Sequence, residues 1–151
     1  MEFLRLQDEK SIEISQYLKE YIQEHKYTNM QIYVGCDSNN KGDLTTYVNT
    51  VVIHIGDSGC HVLYQIDKVP RIDDLWTRLW NEVERSLQIA LYLRENGINI
   101  HNIDLDFNDD AKYQSNKLVN AAQGYIKSFG IKARIKPEML PATRAADNLT
   151  R

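Results

Sequence analysis

The stretch "QIYVGCDSNNKGDLTTYVNTVVIHIGDSGCHVLYQIDKV", residues 31–69, holds runs rich in β-branched and aromatic residues, parted by "NNKGD" and "GDSG". Such runs read as strands, and the Asn/Gly/Asp clusters read as turns. Three strands joined by tight turns make an antiparallel meander. The first strand stops at Gly35, Cys36 and Asp37. An isolated ionised Asp is costly to bury and is normally paired, hydrogen-bonded or metal-bound. Asp37 is thus either a turn cap or one of several carboxylates that meet.

Pro70 ends the meander. "IDDLWTRLWNEVERSLQIALYLREN" (72–96) has the strongest helical pattern, starting near Asp73 or Asp74 and closed by Gly97. "INIHNIDLDFN" (98–108) reads as a fourth strand, 110–130 as a helix closed by Gly130, "IKARIKP" (131–137) as a short fifth strand and 141–151 as a last helix. Before the meander, "SIEISQYLKEYIQEH" (11–25) reads as a helix capped by Ser11. The order α-βββ-α-β-α-β-α implies a five-stranded mixed sheet with helices on both faces. A right-handed crossover sets the fourth strand beside the first. One α/β domain is expected over 1–151, with residues 1–29 as a helical extension to a core over 30–151.

The composition is that of an ordinary soluble protein, 42% apolar and 26% charged. No run reaches the ~20 apolar residues that span a bilayer, and "MEFLRLQDEK" lacks a signal-peptide pattern. A cytoplasmic location is expected, with Cys36 and Cys60 as reduced thiols. The net charge of −3 argues against coating nucleic acid by bulk charge. It does not exclude an enzyme whose acids are neutralised by bound cations.

Several carboxylates are placed to meet Asp37. In "NIDLDFN", Asp104 and Asp106 alternate with Ile103, Leu105 and Phe107, so both project from one face of the fourth strand. The bland alternative is a solvated Asp104 and a turn-capping Asp106. On the long helix, Glu82 sits on the shoulder of the apolar stripe, in line with Ser86 and Ala90. Glu84 lies further toward solvent. Asp147 stands in the slim, Ala-rich last helix. Asp37, Glu82, Asp106 and Asp147 would bring hard oxygen ligands from two strands and two helices, which suits Mg²⁺ or Mn²⁺. Two such ions roughly 4 Å apart clamp a phosphodiester.

The pieces "IYVGCDS", "TTYVNTVVIHIGDSG", "LWNEVERSLQIALYL", "IDLDFN", "SNKLVNAAQGYIKSFGIKARIKP" and "ATRAAD" follow one another from about Ile32 to Arg151. In that order they resemble the YkuK-type family of small bacterial proteins, which is classed as ribonuclease-H-like. The resemblance implies an acidic metal site and, by fold analogy, nucleic-acid cleavage. It matches Asp37 to the first-strand acid, Glu82 or Glu84 to the helix acid, Asp106 to the fourth-strand acid and Asp147 to the last-helix acid. Cys36 stands where Thr is more usual. Asp104 stands where a neutral residue is usual, so it is carried as a second candidate ligand.

Lys132, Arg134 and Lys136 alternate along "IKARIKP". They read either as phosphate contacts or as charges that protect an edge strand. Lys136 and Arg144 are the best phosphate candidates. Tyr113 is a candidate for base stacking, whereas Tyr125, spaced with Ala122 and Phe129, reads as core. His54 and His61 have no partners at metal-ligand spacing. There is no phosphate-binding glycine loop, nucleophile elbow or Cys–His pairing. The expectation is a Mg²⁺- or Mn²⁺-dependent nuclease acting on RNA, DNA or a hybrid. The alternative is a non-catalytic module on the same fold that binds nucleic acid or protein.

Overall fold

The computed structural model describes the chain except residues 27, 57–58, 107–115, 136–140 and 151, and except the side chains of 116–117, 141, 143–144, 147 and 150. Its elements are β1 (Glu2–Arg5), β2 (Ser11–Glu13), α1 (Ile14–Glu24), β3 (Met30–Lys41), β4 (Leu44–Ile55), β5 (Cys60–Pro70), α2 (Leu75–Glu95), β6 (Asn102–Asp104), α3 (Asn116–Lys127), β7 (Ala133–Arg134) and α4 (Pro141–Thr150).

The meander forms as its composition requires. β3 pairs antiparallel with β4 from Met30↔Ile55 to Lys41↔Leu44. Only Gly42 and Asp43 form the turn, with Gly42 at φ +58°, a conformation glycine adopts without steric cost. β4 continues antiparallel into β5 from Leu44↔Pro70 to His54↔Cys60. β6 lies parallel to β3, with Gly35 opposite Asp104, and β7 lies parallel to β6.

The sheet has seven strands in the order β2-β1-β5-β4-β3-β6-β7, not five. The two extra strands come from the segment expected as a helical extension. β1 and β2 form an antiparallel pair through Phe3↔Ile12, and β1 covers the edge of β5 at Leu4↔Tyr64. An uncovered edge strand would leave a row of unpaired amides, and burying Phe3 rewards the pairing. Ser11 is therefore in a strand, and Glu13 caps α1 instead. Its carboxylate accepts from the Gln16 amide at 2.8 Å and from Ser15 Oγ at 2.6 Å. Glu13→Ala should lower stability by about 1–2 kcal/mol, the cost of a lost cap; urea denaturation checks this.

Two apolar layers enclose the sheet. Ile32, Val34, Val51, Ile53, Leu63 and Ile103 pack on one face with α1, α2 and α3, through Leu18, Val83, Leu87 and Ile126. Tyr33 and Val52 with Ala142, and Val48 and Tyr64 with Ala146, meet α4 on the other. The alanines make α4 slim enough for Thr50 Oγ1 to donate to the Ala142 carbonyl at 2.6 Å. With both faces covered, β3 and β4 carry near-continuous apolar runs. No helix among the described residues is long and apolar enough to cross a membrane.

Candidate functional site

The site lies where β6 ends beside β3, and β3 does not stop at Asp37 as its sequence suggests but runs on to Lys41, because Asp37 and the residues after it stay paired with β4 from Val48 to Leu44. Gly35 stands opposite Asp104 in the parallel register, so two further residues along each chain bring Asp37 and Asp106 to the same edge. Both are half-buried. Strand alternation turns Asp37 toward the α4 face, because Tyr33 packs there. Cys36 and Ser38 point to the opposite face, where α2 lies. Cys36 is buried, and burial followed by the nearby Glu82 charge pushes its thiol up.

Glu82 approaches from α2. It is buried, as are its helix neighbours Ser86 and Ala90, so small side chains leave it room against the sheet. Ser38 Oγ donates to Glu82 Oε1 at 2.5 Å. Burial drives the Glu82 carboxyl well above its ordinary value, and the charges of Asp37 and Asp106 drive it in the same direction. The Ser38 hydrogen bond and the Arg78 charge oppose them. Asp37, Glu82 and Asp106 therefore share one electrostatic field, although they come from within β3, from α2 and from just beyond β6. Glu84 does not belong to this group. It hydrogen-bonds Tyr125 on α3, and that bond raises the Tyr125 phenol.

Asp104 has a different role. It is 1% exposed. Its Oδ1 accepts from Arg134 Nε at 3.0 Å and lies 2.9 Å from Arg134 Nη2, while its Oδ2 accepts from the Ala142 amide at 3.0 Å. Asp104 thus anchors the edge strand β7 and caps the first turn of α4. Arg134 is correspondingly not a free strand cation. Its guanidinium pairs with Asp104 and lies 4.1 Å over the Tyr33 ring.

The side chains of Asp147 and Arg144, although on α4, lie outside the described residues, as do Lys136 and Tyr113. Among the described residues, no three His, Cys, Asp or Glu side chains close to metal-binding geometry. The donor chemistry of Asp37, Glu82 and Asp106 is nevertheless that of a hard divalent cation, and the buried Glu82 charge calls for a positive partner. Sequence reasoning missed Arg78, which partly fills that need. The sign was its place four residues before Glu82, which puts both on one side of α2. It also missed the Ser38 hydroxyl, one residue beyond Asp37.

No curated protein and no solved structure matches the chain. A family model described as ribonuclease H-like matches residues 13–151, which takes in α1 and every element after it. With one acid on β3 and another just beyond the parallel neighbour β6, in a mixed sheet covered on both faces, the chain belongs to the YkuK-type, ribonuclease-H-like family.

Proposed function

We infer that the protein has a nucleic-acid-related function, on the strength of its family membership. We propose that the protein is a divalent-metal-dependent nuclease that hydrolyses phosphodiester bonds. The observation that carries this reading is the gathering of Asp37 from β3, Asp106 from just beyond β6 and Glu82 from α2, with Glu82 buried in the field of the other two. Asp37, Glu82 and Asp106, with Asp147 from α4, would hold Mg²⁺ or Mn²⁺. When bound, such a cation activates water and offsets charge on the phosphodiester. The chain's own residues supply placement. β3 and β6 fix the two aspartates in register, the Ser38 hydroxyl orients the Glu82 carboxylate, and Arg78 lowers the cost of gathering the acids.

The test is cleavage of labelled single-stranded RNA, single-stranded DNA, both duplexes and an RNA–DNA hybrid, each with Mn²⁺, Mg²⁺ or EDTA. Metal-dependent cutting by the parent that Asp37→Asn abolishes is the expected result. Cutting unchanged in Asp37→Asn, or no cutting of any substrate, sinks the reading. Arg78 favours a second reading, a non-catalytic binding module, because a built-in cation lets an acid cluster persist without metal. Metal titration separates the two. A nuclease should gain about 2.7 kcal/mol of stability at a metal concentration a hundredfold over its dissociation constant, and Asp37→Asn should gain far less.

A further inference from the structure

We propose that the far end of the β3–β4–β5 meander, on the face that carries Asp37, is a docking surface for a single-stranded nucleic acid whose phosphates meet Lys41 and Lys68; this rests on the nucleic-acid reading of the acidic site. β3 runs four residues past Asp37, and all of them stay paired with β4. Side chains two apart on a strand share a face, so Asp37, Asn39 and Lys41 project together. Across the three strands, the row Asp37, Val48 and Ile66 is followed by Asn39, Thr46 and Lys68, and then by Lys41, Leu44 and Pro70.

This face loses its cover just beyond Asp37. Val48 is buried beneath Ala146 of α4. Ile66, in the same row, is 46% exposed, Leu44 is 43% exposed, and Asn39, Lys41 and Lys68 are exposed as well. The bare end is nevertheless held in place. Arg71 secures the tip of the β3–β4 hairpin, its guanidinium donating to the Gly42 carbonyl at 2.9 Å and its amide to the Asp43 carbonyl at 2.9 Å. The two faces of these rows differ in how their polar groups are used. On the α2 side, Thr45 donates to Asn40 at 2.5 Å, Asn40 donates to the Ile72 carbonyl at 3.0 Å, and Asp67 pairs with Arg85 at 2.7 Å. On the α4 side, Asn39, Lys41, Thr46 and Lys68 make no side-chain hydrogen bond or ion pair among the described residues.

Two lysines without a counter-charge, in a chain of net charge −3, call for an anionic partner. No carboxylate stands in these rows beyond Asp37. Strand spacings set the Cα atoms of Lys41 and Lys68 roughly 12 Å apart, and each roughly 12–14 Å from Asp37. One strand can therefore meet both lysines and still reach the acids. Ile66 and Leu44 lie among the lysines and decide the form of that strand. Exposed apolar side chains gain when unpaired bases cover them. A duplex keeps its base faces stacked inside and would set charged backbone on them instead. The occupant is thus a single strand held by charge and apolar contact, without readout of base edges.

The experiment is titration of the full-length protein, in EDTA so that no strand is cut, with a labelled oligothymidylate and separately with its blunt duplex with oligodeoxyadenylate. Anisotropy is followed over a series of salt concentrations. The single strand should bind more tightly than the duplex. For Lys41→Gln/Lys68→Gln, log affinity should fall less steeply with log salt, by about 1.4, the share of two single-strand phosphates; that is roughly 25-fold in affinity at 0.1 M salt. Lys19→Gln/Lys127→Gln removes the same charge from α1 and α3 and should bind like the parent. Circular dichroism confirms that each variant is folded. Duplex bound as tightly as single strand, or binding by Lys41→Gln/Lys68→Gln no weaker than by Lys19→Gln/Lys127→Gln, overturns the proposal. Single-strand binding that depends on Lys41 and Lys68, without cleavage in any metal, would remove the nuclease reading and leave the docking surface standing. Cleavage by the parent, with binding undiminished in Lys41→Gln/Lys68→Gln, would do the reverse.

Discussion

Asp104→Ala should cost about 3–5 kcal/mol of stability, the loss expected when one partner of a buried ion pair is removed. For a domain of this size that lowers the melting temperature by roughly 6–20 °C. Asp104 is 1% exposed and joins three elements: its own β6, Arg134 of β7 and the first turn of α4. The substitution leaves the Arg134 guanidinium beside an apolar gap and the Ala142 amide without its acceptor, and an unmade buried hydrogen bond carries its full desolvation cost. Asp104→Asn, which keeps an acceptor for Ala142, should lose less. The double variant Asp104→Ala/Arg134→Ala should recover part of the loss, because no orphaned charge remains. Urea denaturation of the four proteins measures all of this. A loss under about 1 kcal/mol for Asp104→Ala would show that the anchor contributes little.

Asp104 also marks the limit of what could be read from the chain. Alternation in "NIDLDFN" sets Asp104 on the face opposite Ile103, and Ile103 does face the α2 layer while Asp104 faces α4; Asp106 lies beyond the end of β6. Alternation carries no information about a partner 30 residues away, so nothing local distinguished a structural acid from a site acid. Arg134 shows the same limit from the other side. Its spacing with Lys132 and Lys136 suggested a row of free cations, and only the parallel register Asp104↔Arg134 reveals the pair. Glu82 was more legible, because the helical period that places Leu79, Val83 and Leu87 inward also places Glu82 on their shoulder beside Ser86 and Ala90. The meander was legible for a similar reason, as composition and turn residues repeat within a dozen positions. The N-terminal pair β1–β2 was not. Each strand is three or four residues long and is held by Phe3 burial and by the edge of β5, a long-range cause with a weak local trace.

Glu82→Gln should do two opposite things: stabilise the metal-free protein and abolish metal-dependent cleavage. Gln has nearly the same shape and keeps an acceptor for the Ser38 hydroxyl, so packing and the hydrogen bond survive. What disappears is a buried carboxyl that burial and the charges of Asp37 and Asp106 make costly to ionise. The gain at neutral pH should be on the order of 1–3 kcal/mol, within the range seen when a strained buried charge is replaced. The pH dependence identifies the cause. The folded-state value of Glu82 is raised above the ordinary 4.5, so the folded protein keeps a proton over a range where the unfolded chain has lost it. The stability linked to this group is fully present below 4.5 and is lost as pH rises through the raised value. The parent and Glu82→Gln should therefore be nearly equal in stability in acid and should diverge toward neutrality, with the variant ahead. Subtracting one pH profile from the other cancels the titration of more distant acids. Parallel profiles would mean that Glu82 titrates alike in the folded and the unfolded chain. Because the same charge would hold a cation, the stabilised variant should neither bind Mn²⁺ tightly nor cut. A carboxylate that weakens the fold and is kept only for what it binds is the physical signature of a working site.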